Sequence, residues 1–149
     1  MFIDQMISLG RNASKININE VLSTIWKDPF VQDFIINLNT KEQLFFGDLG
    51  NGGKMPQGSP SYISAKGSRG APDGESTNLF LTGEFYSTFD IQVTQTGFVI
   101  IANTSIYGKD FKDLYGFDIL GLNEENLQKL IEFIRTDYKE ELSKRIIEG

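Results

Sequence analysis

Residues 79–104 read LFLTGEFYSTFDIQVTQTGFVIIANT, the densest run of β-type alternation in the chain. Phe89, Ile91 and Val93 alternate with Asp90, Gln92 and Thr94, which predicts a strand with one buried face. Thr94-Gln95-Thr96-Gly97 supplies a turn, with Gly97 suited to positive φ. On the return strand Phe98, Ile100 and Ala102 point inward. Val99 and Ile101 make its other face apolar too, so this second strand is predicted to be the more central one. Upstream, Thr82 is placed to cap a helical turn over 83–87.

Helices flank this hairpin on both sides. Phe2, Ile3, Met6 and Ile7 have helical spacing, and 10–14 reads as a break. Ile18, Val21, Leu22 and Ile25 share one face of a helix over 18–27, started by Asn17 with Glu20. Asp28-Pro29 ends it and opens another, Asp as N-cap and Pro in the first turn. Phe30, Val31, Phe34, Ile35 and Leu38 form that helix's stripe. Thr40 with Gln43 is a second capping pattern, before Leu44, Phe45 and Phe46. Lys109–Tyr115 reads as a short helix closed by Gly116. Asn123 caps a last helix over 124–147, about 35 Å long. Leu127, Leu130, Ile131, Ile134, Tyr138 and Leu142 line one of its faces, with Glu124 and Glu125 at its start and Lys144 and Arg145 near its end, as the helix dipole favours. The expected fold is α+β: a small antiparallel hairpin or sheet packed by N-terminal helices and a long C-terminal helix, in one domain over 1–149.

Between helices and hairpin, residues 47–78 hold eight of the 15 glycines, three of the four prolines and one aromatic, Tyr62. A stretch so long and irregular predicts an extended loop or arm, with SPSYISAK as a brief helix or extended piece. GDLGNGGKM at 47–55 imitates a phosphate loop. However, Asp48 replaces the first Gly and Met55 the Ser or Thr, with no strand before and no clear helix after. As a calcium loop it puts Gly50 and Gly52 where oxygen ligands are needed. Lys54, Lys66 and Arg69 make the loop weakly basic without the interleaved aromatics that stack on bases.

The 149 residues contain no cysteine and no histidine, and the net charge is −6. This removes thiolate nucleophiles, cysteine-based zinc sites and the commonest general base. Asp48, Asp73, Glu75, Glu84 and Asp90 are scattered, with no spacing that pairs two for acid–base work. The expectation is a non-enzymatic protein with no cofactor and no metal. The acidic balance disfavours a phosphate-backbone partner. No secretory signal and no membrane span is predicted. Phe45, Phe46, Phe80, Phe85, Tyr86 and Phe89 concentrate aromatic surface, and an assembly interface on this set is expected.

SPSYISAKGSRGAP, then LTGEFYSTFDIQV, then GFVIIANT resembles a family of small tailed-phage structural proteins: neck, tail-completion and virion-morphogenesis proteins. Pro60, Tyr62, Lys66 and Gly70 match the loop part of the pattern. Leu79, Leu81, Thr82, Gly83, Phe85 and Phe89 match its Leu-x-Thr-Gly segment. Tyr107-Gly108 and Tyr115-Gly116 echo its hairpin exit, and GFDILGLNEENLQKLIEFIR resembles the C-termini of related phage proteins. The resemblance implies an α+β virion component that assembles as a homo-oligomeric ring at the head–tail junction. Its neighbours would be portal, adaptor or tail subunits, and its location the virion, with the host cytoplasm during assembly. Pro60, Tyr62, Lys66, Leu81, Thr82, Gly83, Phe85 and Phe89 are the partner-binding candidates. The arm would order against a neighbour, so deletion of 50–59 is expected to leave the body folded. Two alternatives stay open: a stand-alone adaptor or inhibitor module, and an enzyme using Asp, Glu, Lys or Tyr.

Overall fold

The computed structural model describes residues 15–148; the N-terminal helix and break expected over 2–14 lie outside them. In chain order the helices are α1 (Ile18–Trp26), α2 (Pro29–Thr40), α3 (Pro60–Lys66), α4 (Glu84–Ser87), α5 (Phe111–Tyr115) and α6 (Glu124–Glu148). The strands are β1 (Asp90–Val93), β2 (Phe98–Ile101), β3 (Ser105–Ile106) and β4 (Lys109–Asp110). They form two separate two-stranded antiparallel sheets, β1–β2 and β3–β4. The fold is α+β.

Capping chemistry sets the helix starts. The Asn17 side chain accepts from Asn19 N, Asp28 from Phe30 N, Ser59 from Tyr62 N and Asp110 from Lys112 N. Asn123 Oδ1 accepts from Asn126 N at 3.0 Å and opens α6. Each of these bonds satisfies a donor that the first helical turn leaves unpaired. Thr82 Oγ1 accepts from Glu84 N at 3.3 Å, so it does support the turn of α4.

The core runs from α1 and α2 through the β1–β2 hairpin to α6. Ile35, Leu44, Ile119, Leu130 and Phe85 are almost fully buried within it. Phe85 is its aromatic centre, edge-on to Phe89 at 5.2 Å and to Phe111 at 4.9 Å between centroids. Full burial of such a ring contributes roughly 2–3 kcal/mol.

Several expectations are corrected. Among the described residues strand β2 pairs only with β1, in the register Ile91↔Ile100 and Val93↔Phe98. It is therefore not central, and Val99 (48 %) and Ile101 (40 %) are exposed. Gly97 does not have positive φ; the turn closes with Thr94 N donating to Gly97 O at 2.8 Å. Phe30, assigned to a buried stripe, is 80 % exposed. Thr40 and Gln43 do not cap a helix: Thr40 Oγ1 donates back to Ile36 O, and Gln43 is fully buried.

Gln43 belongs to a buried polar clasp between the end of α2 and the start of α6. Its Nε2 donates to Gly121 O at 2.7 Å, and its Oε1 accepts from Asn123 N at 2.9 Å and from Asn126 Nδ2 at 3.2 Å. Asn39 accepts from Gly121 N and donates to Ile119 O. Buried amides are tolerated because their donors and acceptors are matched in this way.

The segment 47–78 lies against the body. Met55 is buried in the core, and Gly50 N donates to Asp118 O at 2.8 Å. Asp48 pairs with Lys54, and Gln57 with Ser76, as isolated antiparallel bridges. A Cβ on Gly47, whose φ is +81°, would lie 2.3 Å from Ser76 Cβ. Removing 50–59 would take Met55 out of the core, so the expectation that this piece is dispensable for folding is withdrawn. The reason is that a glycine-rich composition permits close backbone approach as readily as mobility.

Candidate functional site

The strap 78–83 crosses the molecule between α3 and α4. Asn78 anchors it. Its fully buried amide donates to Phe45 O at 3.1 Å and Arg69 O at 2.9 Å, and its Oδ1 accepts from Phe80 N at 3.2 Å. The Tyr86 hydroxyl donates to Asn78 O. From the α3 side, Lys66 Nζ donates to Phe80 O and Arg69 to Leu81 O at 3.0 Å. The basic stretch seen in sequence is therefore engaged internally: Lys54 pairs with Asp48 at 2.7 Å, and Lys66 and Arg69 hold the strap.

Two recesses are divided by the strap. Phe80 and Gly83 line one of about 790 Å³, with Phe45, Phe46 and Tyr86. Leu79 and Leu81 line the other, of about 190 Å³. Tyr62 and Lys66 face this smaller recess from α3, and Tyr107 and Lys109 from the β3–β4 hairpin. Phe111 and Tyr115 of α5 complete its aromatic lining.

Among the partner-binding candidates, Tyr62, Lys66 and Leu81 come together here, and Thr82 Oγ1 shares a 2.8 Å hydrogen bond with the Tyr107 hydroxyl. Gly83 is on the other side, with φ +85° at the start of α4. Pro60 is exposed in the first turn of α3. Phe85 (1 %) and Phe89 (6 %) are core residues and offer no contact surface.

Backbone strain gathers at the smaller recess. Leu79 (φ 59°) and Tyr107 (φ 56°) are the two non-glycine residues with positive φ among the described residues, and both line it. Such conformations cost of order 1–3 kcal/mol each and persist where surrounding contacts hold them. Tyr107 and Gly108 (φ 72°) form the two-residue turn of β3–β4, in the conformation that matches strand twist.

Lys66 is 5 % exposed and has no carboxylate partner among the described residues. Burial, and secondarily the Arg69 charge, pulls its pKa down to about 8. Tyr62 is raised by burial, against a main-chain interaction with Asn78 that lowers it. Tyr86 is pushed well above the phenol range by burial and then by Tyr62. Tyr107, Lys109, Leu79 and Tyr115 were missed as recess residues. The Tyr-Gly pairs at 107–108 and 115–116 and the Leu-x-Thr-Gly segment marked three of them in the sequence, without placing them at a site.

No cluster of three or more carboxylates arranged to hold a metal occurs among the described residues, and no described helix is long and apolar enough to cross a membrane. No protein-family model matches the chain, and no curated protein or solved structure matches it.

Proposed function

We propose that this chain is a structural assembly subunit, and specifically a tailed-phage neck or tail-completion component that forms a homo-oligomeric ring at the head–tail junction and contacts portal, adaptor or tail subunits. The observation that carries this reading is a pair of unlike apolar patches. One is aromatic: Phe30 (80 % exposed) lies one turn from Phe34, which stacks on Phe133 of α6 at 3.9 Å and 8°. The other is aliphatic, Val99 and Ile101 on the outer face of the hairpin. Rings are built by head-to-tail contacts, which join two different patches on successive copies. A neighbouring copy would cover these exposed apolar side chains in such a head-to-tail contact, and the Leu-x-Thr-Gly resemblance over 79–89 supplies the phage setting.

The test uses Phe30→Glu and Val99→Glu, both at exposed positions. Native mass spectrometry of the intact chain is expected to show a closed homo-oligomer, and each variant is expected to be a folded monomer. Unchanged oligomers in both variants, or a monomeric wild type at high concentration, would contradict the ring.

A further inference from the structure

We propose that the recess between α3, the strap and the β3–β4 hairpin is a binding site for a small carboxylate with a flat apolar body. This inference does not depend on the assembly reading.

The recess is cationic. Lys66 and Lys109 line it, and among the described residues lining it none carries a carboxylate. The Lys66 ammonium has three donors. The strap carbonyl of Phe80 engages one, and the Tyr62 ring, 5.3 Å away at its centroid, faces the cation. A cation only 5 % exposed and without an anion is a costly arrangement. A carboxylate at this position supplies the missing charge through short, charge-assisted hydrogen bonds.

The remaining wall selects the body of the ligand. Phe111, Tyr115 and Tyr107 present ring surfaces, and Leu79 and Leu81 present aliphatic ones. A volume of about 190 Å³ is below the span of ordinary drug-sized sites, so a single ring with one carboxylate is the right scale. The two strained residues, Leu79 and Tyr107, both line this recess. Lys66 holding the strap explains its bond to Phe80 but not the lysine and the rings around an open space beside it.

Benzoate titrated into the ¹⁵N-labelled chain tests this directly, with benzamide as the neutral isostere. Benzoate is expected to shift amide signals of Tyr62, Lys66, Tyr107 and Tyr115, and to bind at least tenfold more tightly than benzamide. Lys66→Met is expected to abolish the shifts. Because loss of Lys66 also loosens the strap, Leu81→Trp is the second variant: it fills the recess from an exposed position and retains both lysines. It is expected to abolish binding with an unchanged far-UV spectrum. Equal binding of benzamide, no shifts with benzoate, or full binding to Leu81→Trp would each overturn the assignment.

Discussion

Asn39 grips the main chain around Gly121, donating to Ile119 O at 3.1 Å and accepting from Gly121 N at 2.8 Å. Asn39 and Gly121 are 82 positions apart in sequence, and the grip fixes where α6 departs from the end of α2. Asn39→Ala leaves the buried Ile119 carbonyl and the half-buried Gly121 N–H without partners. A loss of about 2–4 kcal/mol is expected by urea denaturation. Asn39→Asp keeps the acceptor, loses the donor and buries a charge, so it is expected to be at least as damaging. A loss under about 0.5 kcal/mol in both would show that the clasp is dispensable.

Gly47 tests whether the glycine-rich segment is packed. Its φ is +81°, and a methyl group added there would meet Ser76 Cβ at 2.3 Å, so Gly47→Ala brings both backbone strain and a clash. It is expected to cost about 2–4 kcal/mol. Gly52→Ala has the strained φ (+86°) with nothing within 4 Å and is expected to cost about 1 kcal/mol. Equal effects in thermal melts would contradict close packing of Gly47 on Ser76.

The two strained residues should respond differently to relief. Tyr107 is exposed in a two-residue turn that favours Asn or Gly. Tyr107→Asn is expected to leave stability unchanged or raise it by up to about 1 kcal/mol in thermal melts, despite loss of the Thr82 bond. Leu79 is 8 % exposed and part of the core. Leu79→Gly removes strain but also a packed side chain, so it is expected to destabilise by about 1–3 kcal/mol.

Stability should pass through a maximum in alkali. The Lys66 pKa is about 8 when folded against 10.5 in the open chain, so between those values the unfolded state binds more protons. Stability therefore rises with pH from about 8. Tyr62 and Tyr86 are raised above 10.0, so the folded state holds more protons above pH 10 and stability falls there. Lys66→Met is expected to abolish the rise and keep the fall in denaturation curves. At the acid end, Asp73 is held down to about 2 by hydrogen bonds from the Ser76 hydroxyl and the Ser76 and Glu75 amides. That contribution is lost as pH drops from about 4 towards 2, and Asp73→Asn should flatten it.

The helices were legible in the sequence because local chemistry starts them. Asp28-Pro29 and Asn123 act on donors two or three residues away; the Ser59 cap does the same, but SPSYISAK left helix and extended piece open. The β1–β2 hairpin was legible from period-two alternation. The buried amides were not: Asn39, Gln43, Asn78 and Asn126 are polar types whose partners lie up to 88 residues away. The β3–β4 hairpin was hidden because its strands are two residues each and Tyr107 sits where Asn or Gly signals a turn. For the candidate site, Tyr62, Lys66 and Leu81 were found, but Phe85 and Phe89 matched a motif while serving the core. A sequence pattern marks residue types, not which of them face outward.

If the proposed virion role holds, a tailed phage encodes this chain, and purified particles of that phage test the role most directly. Peptide mass spectrometry and electron microscopy are expected to find the chain in multiple copies as a ring at the head–tail junction, and Phe30→Glu is expected to remove it. Particles that are infectious and complete without the chain would contradict the account.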